Sequence, residues 1–288
     1  MMNSKKFWIS IVAALAFGLV GCDSSSSGGA AGSGGGTAGS GGDAGSGGAG
    51  GAPAAGASVT AVHLAPEVPS ADDTEVAIFV NGANSGVTIS YGETTGRIPL
   101  AAGTYDLGLG LPDGTEPLLN LPGVQLSDGD DLTVVAYRTN EAPLPVGVFV
   151  FSNSTDDLAS GSGRAFVGHG ANDPALDPVG ISLGVDPDCS TLIPGFEFGT
   201  TAPAEGMLLD LPEGTYQIGF DLTPDDMNDC ADFGPVGVPV TPNVVSILIA
   251  VDENTTDTTE DAQALNPELW AIIPDAEDPQ PIRTIQAQ

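Results

Sequence analysis

Two cysteines in the C-terminal half of this 288-residue chain, Cys189 and Cys230, could form a covalent bond. A disulfide between them would close a loop of about 40 residues and contribute roughly 4 kcal/mol through the entropy of the unfolded chain. In an exported protein such a pair is more often a disulfide than a metal or redox site. No histidine lies near either cysteine in sequence. The sequence therefore predicts a Cys189–Cys230 disulfide, with free thiols and a metal site as the alternatives.

The chain has two histidines, His63 and His169, and each follows an apolar run and precedes a turn that contains proline. One interpretation is a repeated ligand or proton-transfer site, because histidine changes charge near neutral pH. The other is a residue at the end of a strand that hydrogen-bonds to the following turn. The two histidines occupy equivalent places in an internal repeat, and a catalytic histidine is rarely kept in both copies. We therefore interpret both as structural.

Acidic residues cluster between the apolar runs, and Asp128-Gly129-Asp130-Asp131 is one such cluster. Calcium takes six to eight oxygen ligands, which acidic loops at the end of a β-sandwich can supply. None of the clusters matches the spacing of an EF-hand loop. A solvated loop is the first interpretation, and a weak calcium site at Asp128, Asp130 and Asp131 is the second. We expect no other cofactor.

Charge and motif content exclude several classes of function. Six lysines and arginines stand against 38 acidic residues, for a formal charge of −32, which disfavours binding to nucleic acid and charge-driven docking on anionic lipid. The nucleophile-elbow, zinc-protease and phosphate-loop motifs do not occur. A pair of carboxylates of the glycosidase type remains the only catalytic alternative, since few histidines and lysines are available. We expect a protein that is not an enzyme.

The N-terminal segment has the features of an export signal. Lys5 and Lys6 precede an apolar stretch at 7–20 that would be about 21 Å long as a helix, which is too short for a membrane core of roughly 30 Å. It ends in Leu19-Val20-Gly21-Cys22, which resembles the lipobox of lipoproteins cleaved by signal peptidase II. That resemblance implies an acylated Cys22 as the new N-terminus, anchored in a membrane. An ordinary secretory signal with an incidental cysteine is the alternative.

A glycine-rich segment follows the predicted lipid anchor. Glycine supplies 15 of the 30 residues of Gly28–Ala57, and most of the others are alanine or serine. Such a composition cannot bury enough surface to offset the entropy lost on ordering, so it predicts a disordered tether. The chain from Cys22 onward would carry four arginines against 38 acids, for a formal charge of −34.

Short apolar runs separated by Gly, Pro, Asn and Asp begin at Ser58, about 8 to 14 residues apart, as in β-sandwiches. No stretch keeps helical periodicity for long. The strands predicted before residue 152 are Val59–Leu64, Val76–Val80, Val87–Tyr91, Arg97–Leu100, Thr104–Leu109, Val124–Leu126, Leu132–Tyr137 and Val146–Phe151.

The pattern then repeats with conserved order. His63 corresponds to His169, Tyr91-Gly92 to Phe198-Gly199, and Gly103-Thr104-Tyr105 to Gly214-Thr215-Tyr216. A repeat longer than 100 residues indicates duplicated domains rather than a solenoid. In each Gly-Thr-Tyr the tyrosine hydroxyl is expected to reach backbone, as in a tyrosine corner. The alternative is an exposed aromatic surface for sugars, which would need Tyr91, Tyr137 or Trp270 to be coplanar on one sheet face.

These motifs carry a family resemblance. Val62-His63-Leu64-Ala65-Pro66-Glu67-Val68-Pro69, Val80-Asn81-Gly82, Tyr91-Gly92 and Leu100–Tyr105 are together similar to domain-of-unknown-function family 4397. The resemblance implies exported bacterial β-sandwich domains, often in tandem and often lipid-anchored. It covers 58–151 well and 163–275 more weakly, because the second copy lacks the Val-Asn-Gly step. It implies no activity.

The sequence thus predicts an all-β protein with two tandem antiparallel Ig-like β-sandwich domains after a signal peptide and a disordered linker. The expected segments are a signal peptide at 1–21, a lipidated tether at 22–57, sandwiches at 58–152 and 163–276, and a tail at 277–288. We expect a lipid-anchored binding or adhesion module of the bacterial cell envelope, at the cell surface or facing the periplasm. Its expected partners are the membrane and an envelope protein or glycan. A structural acidic protein without a specific ligand is the alternative, and a glycan-active enzyme is a weaker one.

Overall fold

Alternating apolar residues and frequent turn formers build an all-β chain, as the sequence predicts. In the described part of the chain there is no helix at all, and so none that could cross a membrane. The computed structural model describes residues 56–70, 73–139, 145–172, 177–183, 190–202, 210–221, 233–251, 268–274 and 282–284.

The first half of the chain contributes two four-stranded sheets, an outer sheet in the order β3-β2-β5-β6 and an inner sheet in the order β4-β1-β7-β8. These sheets face each other as a sandwich. The strands are β1 (Ala57–Leu64), β2 (Val76–Val80), β3 (Ala83–Ile89), β4 (Glu93–Leu100), β5 (Gly103–Gly110), β6 (Leu119–Leu126), β7 (Asp131–Arg138) and β8 (Val146–Ser152).

The second half repeats this plan. Its outer sheet has the order β11-β10-β14-β15, and its inner sheet has the order β12-β9-β16-β17-β18, with β13 also paired to β9. The strands are β9 (Ser162–Gly170), β10 (Val179–Leu183), β11 (Ser190–Phe196), β12 (Thr201–Ala202), β13 (Asp210–Pro212), β14 (Gly214–Asp221), β15 (Phe233–Val240), β16 (Val245–Val251), β17 (Glu268–Ile272) and β18 (Ile282–Thr284).

Most strand pairs are antiparallel, as predicted, but one pair in each inner sheet is parallel. The first strand of each half, β1 or β9, runs parallel to a strand far along the chain, β7 or β16. A parallel pair needs a long connection, which the intervening strands of the outer sheet provide. Both pairs lie at the centre of the inner sheet, where they carry the histidine at the end of β1 and β9.

The two inner sheets pack against each other through a third core. In β7 the side chains of Val135 and Tyr137 point into this core, while Val134 points into the first sandwich. In β16, Ile249 points into it and Leu248 into the second sandwich. Strands buried on both faces read as continuous apolar runs rather than alternating ones, as both strands do here. The residues Gly51–Gln288 form one compact unit.

The predicted segments compare with the structure as follows. Strand β8 ends at Ser152 and β9 begins at Ser162. The sequence left open whether the halves touch, and the structure shows that they share a core. The division into two separate domains stays a prediction. The signal peptide at 1–21 and nearly all of the tether at 22–57 lie outside the described residues.

Candidate functional site

The sandwich of the first half contains an aliphatic cleft between its two sheets. The cleft has a volume of about 40 Å³. Its walls hold no titratable side chain and no aromatic ring. They are formed by Val59, Ala61, Val62, Ile78, Val80, Ile98, Leu100, Leu107, Gly108, Leu109, Leu119, Leu121, Val134, Ala136 and Val148.

One side of the cleft is formed by the edge strands β6 and β8. Leu119 and Leu121 of β6 and Val148 of β8 line it and are only half-buried. Two residues further along β8 and on the same face, Val150 is 44 % exposed. Leu118, which immediately precedes β6, is 50 % exposed. Apolar residues grouped in this way on a soluble surface mark a contact site more often than single exposed ones do.

Among the described residues of the second half, the equivalent positions on the inner sheet are fully buried. The residues that stand opposite one another across the inner sheets are His63, Ala136 and Val148 in the first half, and His169, Ala250 and Leu269 in the second. Val148 is half-buried, whereas Leu269 has no exposed surface. Among the described residues, the buried side chains of the second sandwich form one cluster, while those of the first divide into three.

His63 is a structural residue, which confirms the sequence interpretation. Its Nε2 lies 3.1 Å from the carbonyl oxygen of Val68 and 3.0 Å from that of Thr74. Both oxygens accept, so Nε2 carries the proton and donates to the turn, and Nδ1 accepts from the Ala65 amide at 3.4 Å. Burial lowers the pKa of His63, and the two hydrogen bonds oppose this shift only in part. The imidazole is therefore neutral at pH 7.

His169 occupies the equivalent position in a different environment. It is buried among the rings of Phe196, Phe198 and Phe220, each with its centroid 6.1 Å from the imidazole. Its backbone continues the strand by accepting from the Gly199 amide at 2.7 Å. Neither histidine lines the cleft.

The two Gly-Thr-Tyr motifs form the tyrosine corners that the sequence predicts. The Tyr105 hydroxyl donates to the carbonyl oxygen of Ala101 at 2.9 Å, and the Tyr216 hydroxyl donates to that of Pro212 at 3.0 Å. Both bonds reach back four residues along the chain. The same local sequence therefore makes the same contact in both halves.

The alternative of an exposed aromatic surface for sugars is wrong for Tyr91, Tyr137 and Trp270. Tyr137 and Trp270 are buried in the core between the inner sheets, and Tyr91 meets Trp270 edge-on at 5.7 Å. The Tyr91 hydroxyl donates to Glu268 Oε2 at 2.5 Å, and Trp270 Nε1 donates to the same oxygen at 3.0 Å. A Cβ on Gly92, whose φ is +80°, would lie 2.9 Å from the Trp270 ring. These aromatic rings pack in the core that the two inner sheets share.

The predicted calcium ligands do not converge. Asp131 pairs with Arg97 at 2.6 Å and accepts from the Ser58 hydroxyl at 2.9 Å. Asp130 Oδ2 accepts from the Ser127 amide at 2.6 Å and closes the turn, while Asp128 is exposed. Across the described residues, no three acidic, histidine or cysteine side chains are arranged to hold a metal ion. A weak calcium site at Asp128, Asp130 and Asp131 stays a prediction.

Three of the arginines are bound in ion pairs. Besides Arg97 with Asp131, Arg138 pairs with Glu67 at 2.8 Å, and Arg164 pairs with Asp210 at 2.9 Å. Partly exposed pairs of this kind contribute little stability each. Their consequence is electrostatic, because they leave the large excess of carboxylates without compensating cations.

The three cysteines, Cys22, Cys189 and Cys230, lie outside the described residues, so the lipidation site and the disulfide stay predictions. No protein-family model and no curated protein matches the chain. The resemblance to family 4397 therefore stays a prediction as well. The cleft residues were not singled out by sequence analysis. The available signal was β8 itself, Val146–Ser152, a long apolar strand that has no charge and no proline.

Proposed function

We propose that this chain is a lipid-anchored, non-catalytic binding module of the bacterial cell envelope, and that the open edge at β6 and β8 is its recognition surface. The aliphatic cleft of the first half carries this proposal, because Leu269 and Ala250, which stand at the equivalent positions among the described residues of the second half, are buried in its core. Protein interiors are normally packed to crystal density. A hollow kept in one copy of a duplicated sandwich and filled in the other supports a role in contact with a partner.

The chemistry of the cleft supports binding rather than catalysis. Its walls are aliphatic, so they offer a partner burial of apolar surface but no acid, base or nucleophile. Arg138, the last residue of β7, is bound at 2.8 Å to Glu67, which lies in the turn after β1. The contact energy would come from apolar area and from backbone groups at the sheet edge.

The anchor is the second part of the proposal. An acylated Cys22 with a glycine-rich tether would hold the folded residues outside the membrane and leave their surfaces accessible. Mass spectrometry of the N-terminal peptide of the cell-derived protein should show a diacylglyceryl group on Cys22. The Cys22→Ser variant should accumulate with its signal peptide intact. An unacylated wild-type N-terminus would contradict the anchor without affecting the recognition surface.

A binding assay tests the recognition surface. The mature chain, residues 22–288, produced without its signal peptide, should bind saturably to envelope membranes of the source bacterium. Val150→Lys places a charge on the open edge and should weaken binding at least tenfold. Thr88→Lys makes the same change of charge at an exposed residue of β3, the opposite edge of the outer sheet, and should have no effect.

A structural, acidic envelope protein without a specific ligand is the second candidate. The pairing of Arg97, Arg138 and Arg164 favours it, because the remaining surface charge is strongly negative and keeps the chain highly solvated. The same assay separates the two candidates. Absence of saturable binding, or equal loss in Val150→Lys and Thr88→Lys, would support the structural role.

A further inference from the structure

The outer edge of β8 has backbone groups that no described strand pairs with. The Asn153 amide donates to Asp131, and the Thr139 amide donates to Pro145, which identifies the hydrogen-bonded pairs between β7 and β8. Such pairs alternate along an antiparallel ladder. The N–H and C=O groups of the intervening residues, Val148 and Val150 among them, therefore point away from β7 and out of the sheet.

The second half shows this position occupied. There the strand equivalent to β8 is β17, and its outer edge is covered by β18. Ala271 pairs with Ile282, and Leu269 pairs with Thr284. By the alignment of the two halves, Leu269 corresponds to Val148 and Ala271 to Val150. The first half thus has the same edge without its additional strand in the described residues.

The volume of the cleft limits which side chains a strand added beside β8 could place in it. A volume of about 40 Å³ is far below the roughly 150 Å³ that admits a benzene ring, so a whole acyl chain or sugar does not fit. The end of one branched aliphatic side chain does fit. A strand laid along β8 would direct alternate side chains toward Val148, Val150 and Leu121 at the mouth of the cleft.

The charge of the protein indicates which side chains the added strand should carry at the positions that do not enter the cleft. Long apolar edge strands are normally protected by charge or proline, and β8 has neither. The three arginines with described side chains are all engaged in ion pairs, in a chain with 38 acidic residues. An approaching basic strand is therefore attracted and an acidic one repelled. The strand that fills the equivalent edge, Ile282–Thr284, itself contains an arginine.

We infer that the β8 edge binds an extended segment of a partner polypeptide, in which aliphatic residues alternate with polar or basic ones. The segment adds to the inner sheet as an antiparallel strand beside β8, and an aliphatic side chain enters the cleft. Backbone hydrogen bonds to Val148 and Val150 contribute affinity, and the cleft selects the side chain. This inference rests on the proposed function, since it names the class of partner for the same surface.

A labelled peptide provides the first test. A rhodamine-labelled, amidated copy of residues 280–287 (Gln-Pro-Ile-Arg-Thr-Ile-Gln-Ala) is titrated with the mature chain and followed by fluorescence anisotropy. We expect saturable binding that weakens as salt is added. Replacing the arginine of the peptide by glutamate should weaken binding at least threefold. Absence of binding at millimolar protein would overturn the inference.

Two sets of variants test strand addition itself. Val150→Pro removes an outward N–H without touching the β7–β8 ladder and should weaken binding at least tenfold, whereas Val150→Thr keeps the N–H and the branched shape and should not. A melting curve checks that Val150→Pro folds. Alternate N–H groups of a strand point to opposite edges, so only one set can donate to β8. We therefore compare two peptides on wild-type protein, one N-methylated at Ile282 and Thr284 and the other at Arg283 and Ile285. Only one of the two should lose binding. Equal binding of both methylated peptides would overturn the inference whether or not the proline variant folds.

The outcomes separate this inference from the proposed function. If envelope binding is lost in Val150→Lys but is unaffected by Val150→Pro, the recognition surface stands and strand addition is wrong. If sedimentation shows a wild-type dimer that Val150→Pro dissociates, a second copy of the chain occupies the edge and the inference of a separate partner is overturned. Monomeric protein that binds the peptide supports the inference.

Discussion

The two halves of this molecule are built from one plan and differ in how completely their sandwiches are packed. In the second half, Leu269 is fully buried and its strand edge is covered by β18. In the first half, Val148 at the equivalent place is half-buried, and an aliphatic cleft opens beside it. The comparison teaches that a duplicated sandwich can keep its framework in both copies while the packing beside one edge strand differs between them.

The largest expected effect comes from truncating the two equivalent residues. Leu269→Ala should lower the free energy of unfolding by about 3 kcal/mol, because it leaves a cavity in a filled core. Val148→Ala should cost about 1 kcal/mol or less, since the side chain is half-exposed beside an existing hollow. Urea unfolding measures both. Equal costs would show that the first sandwich is packed as tightly as the second.

Enlarging two equivalent alanines should produce effects of opposite sign. Ala250→Val overfills the second core and should lower the free energy of unfolding by about 1–3 kcal/mol. Ala136→Val fills part of the cleft and should raise it by about 0.5–1 kcal/mol. Thermal melts compare the two variants directly. Destabilisation by both would mean that the cleft has no spare volume.

His63 should make the free energy of unfolding depend on pH. Because burial lowers the pKa of His63 in the folded state, the unfolded chain takes up the proton first as the pH falls. The contribution of His63 to stability is therefore complete above its unfolded pKa of about 6.5, and it declines as the pH falls below that value, by up to about 1.4 kcal/mol per pH unit. His63→Gln should remove this component of the pH dependence between pH 6.5 and 5. Parallel pH profiles of variant and wild type would contradict it.

The smallest effect should also be the same in both halves. Tyr105→Phe and Tyr216→Phe each remove one hydrogen bond to a backbone carbonyl and should each cost about 1 kcal/mol. Their difference in urea midpoint should be close to zero. A large difference would show that even the framework has diverged between the two copies.

Local patterns predicted most of the strands. The β7 strand was predicted within one residue at each end, since its apolar run is continuous. The β3 strand was predicted late, at Val87 rather than Ala83, because an exposed edge strand lacks the apolar signal. In β6 only Val124–Leu126 was predicted, because proline and glycine interrupt the apolar run before it. The strand nevertheless runs through Gly123, with φ of +73° and an irregular register.

The candidate site was harder to predict than the strands. The tyrosine corners and the role of His63 followed from residue types in short motifs, and the structure confirms them. The cleft did not follow, because Leu121 and Val148 look like ordinary core residues in sequence. Whether they are buried depends on how two sheets pack against each other, and these two residues come from strands more than twenty positions apart in the sequence.

The amino-acid sequence by itself determined the all-β class, the order of the repeated strands and the acidic character of the chain. Each of these follows from composition or from periodicity over a few residues. Only the tertiary structure decided that the inner sheets share a core and that an aliphatic cleft lies between the sheets of the first sandwich. Packing depends on the summed volume of side chains from distant segments and on which strand covers which edge, and no local pattern encodes either quantity.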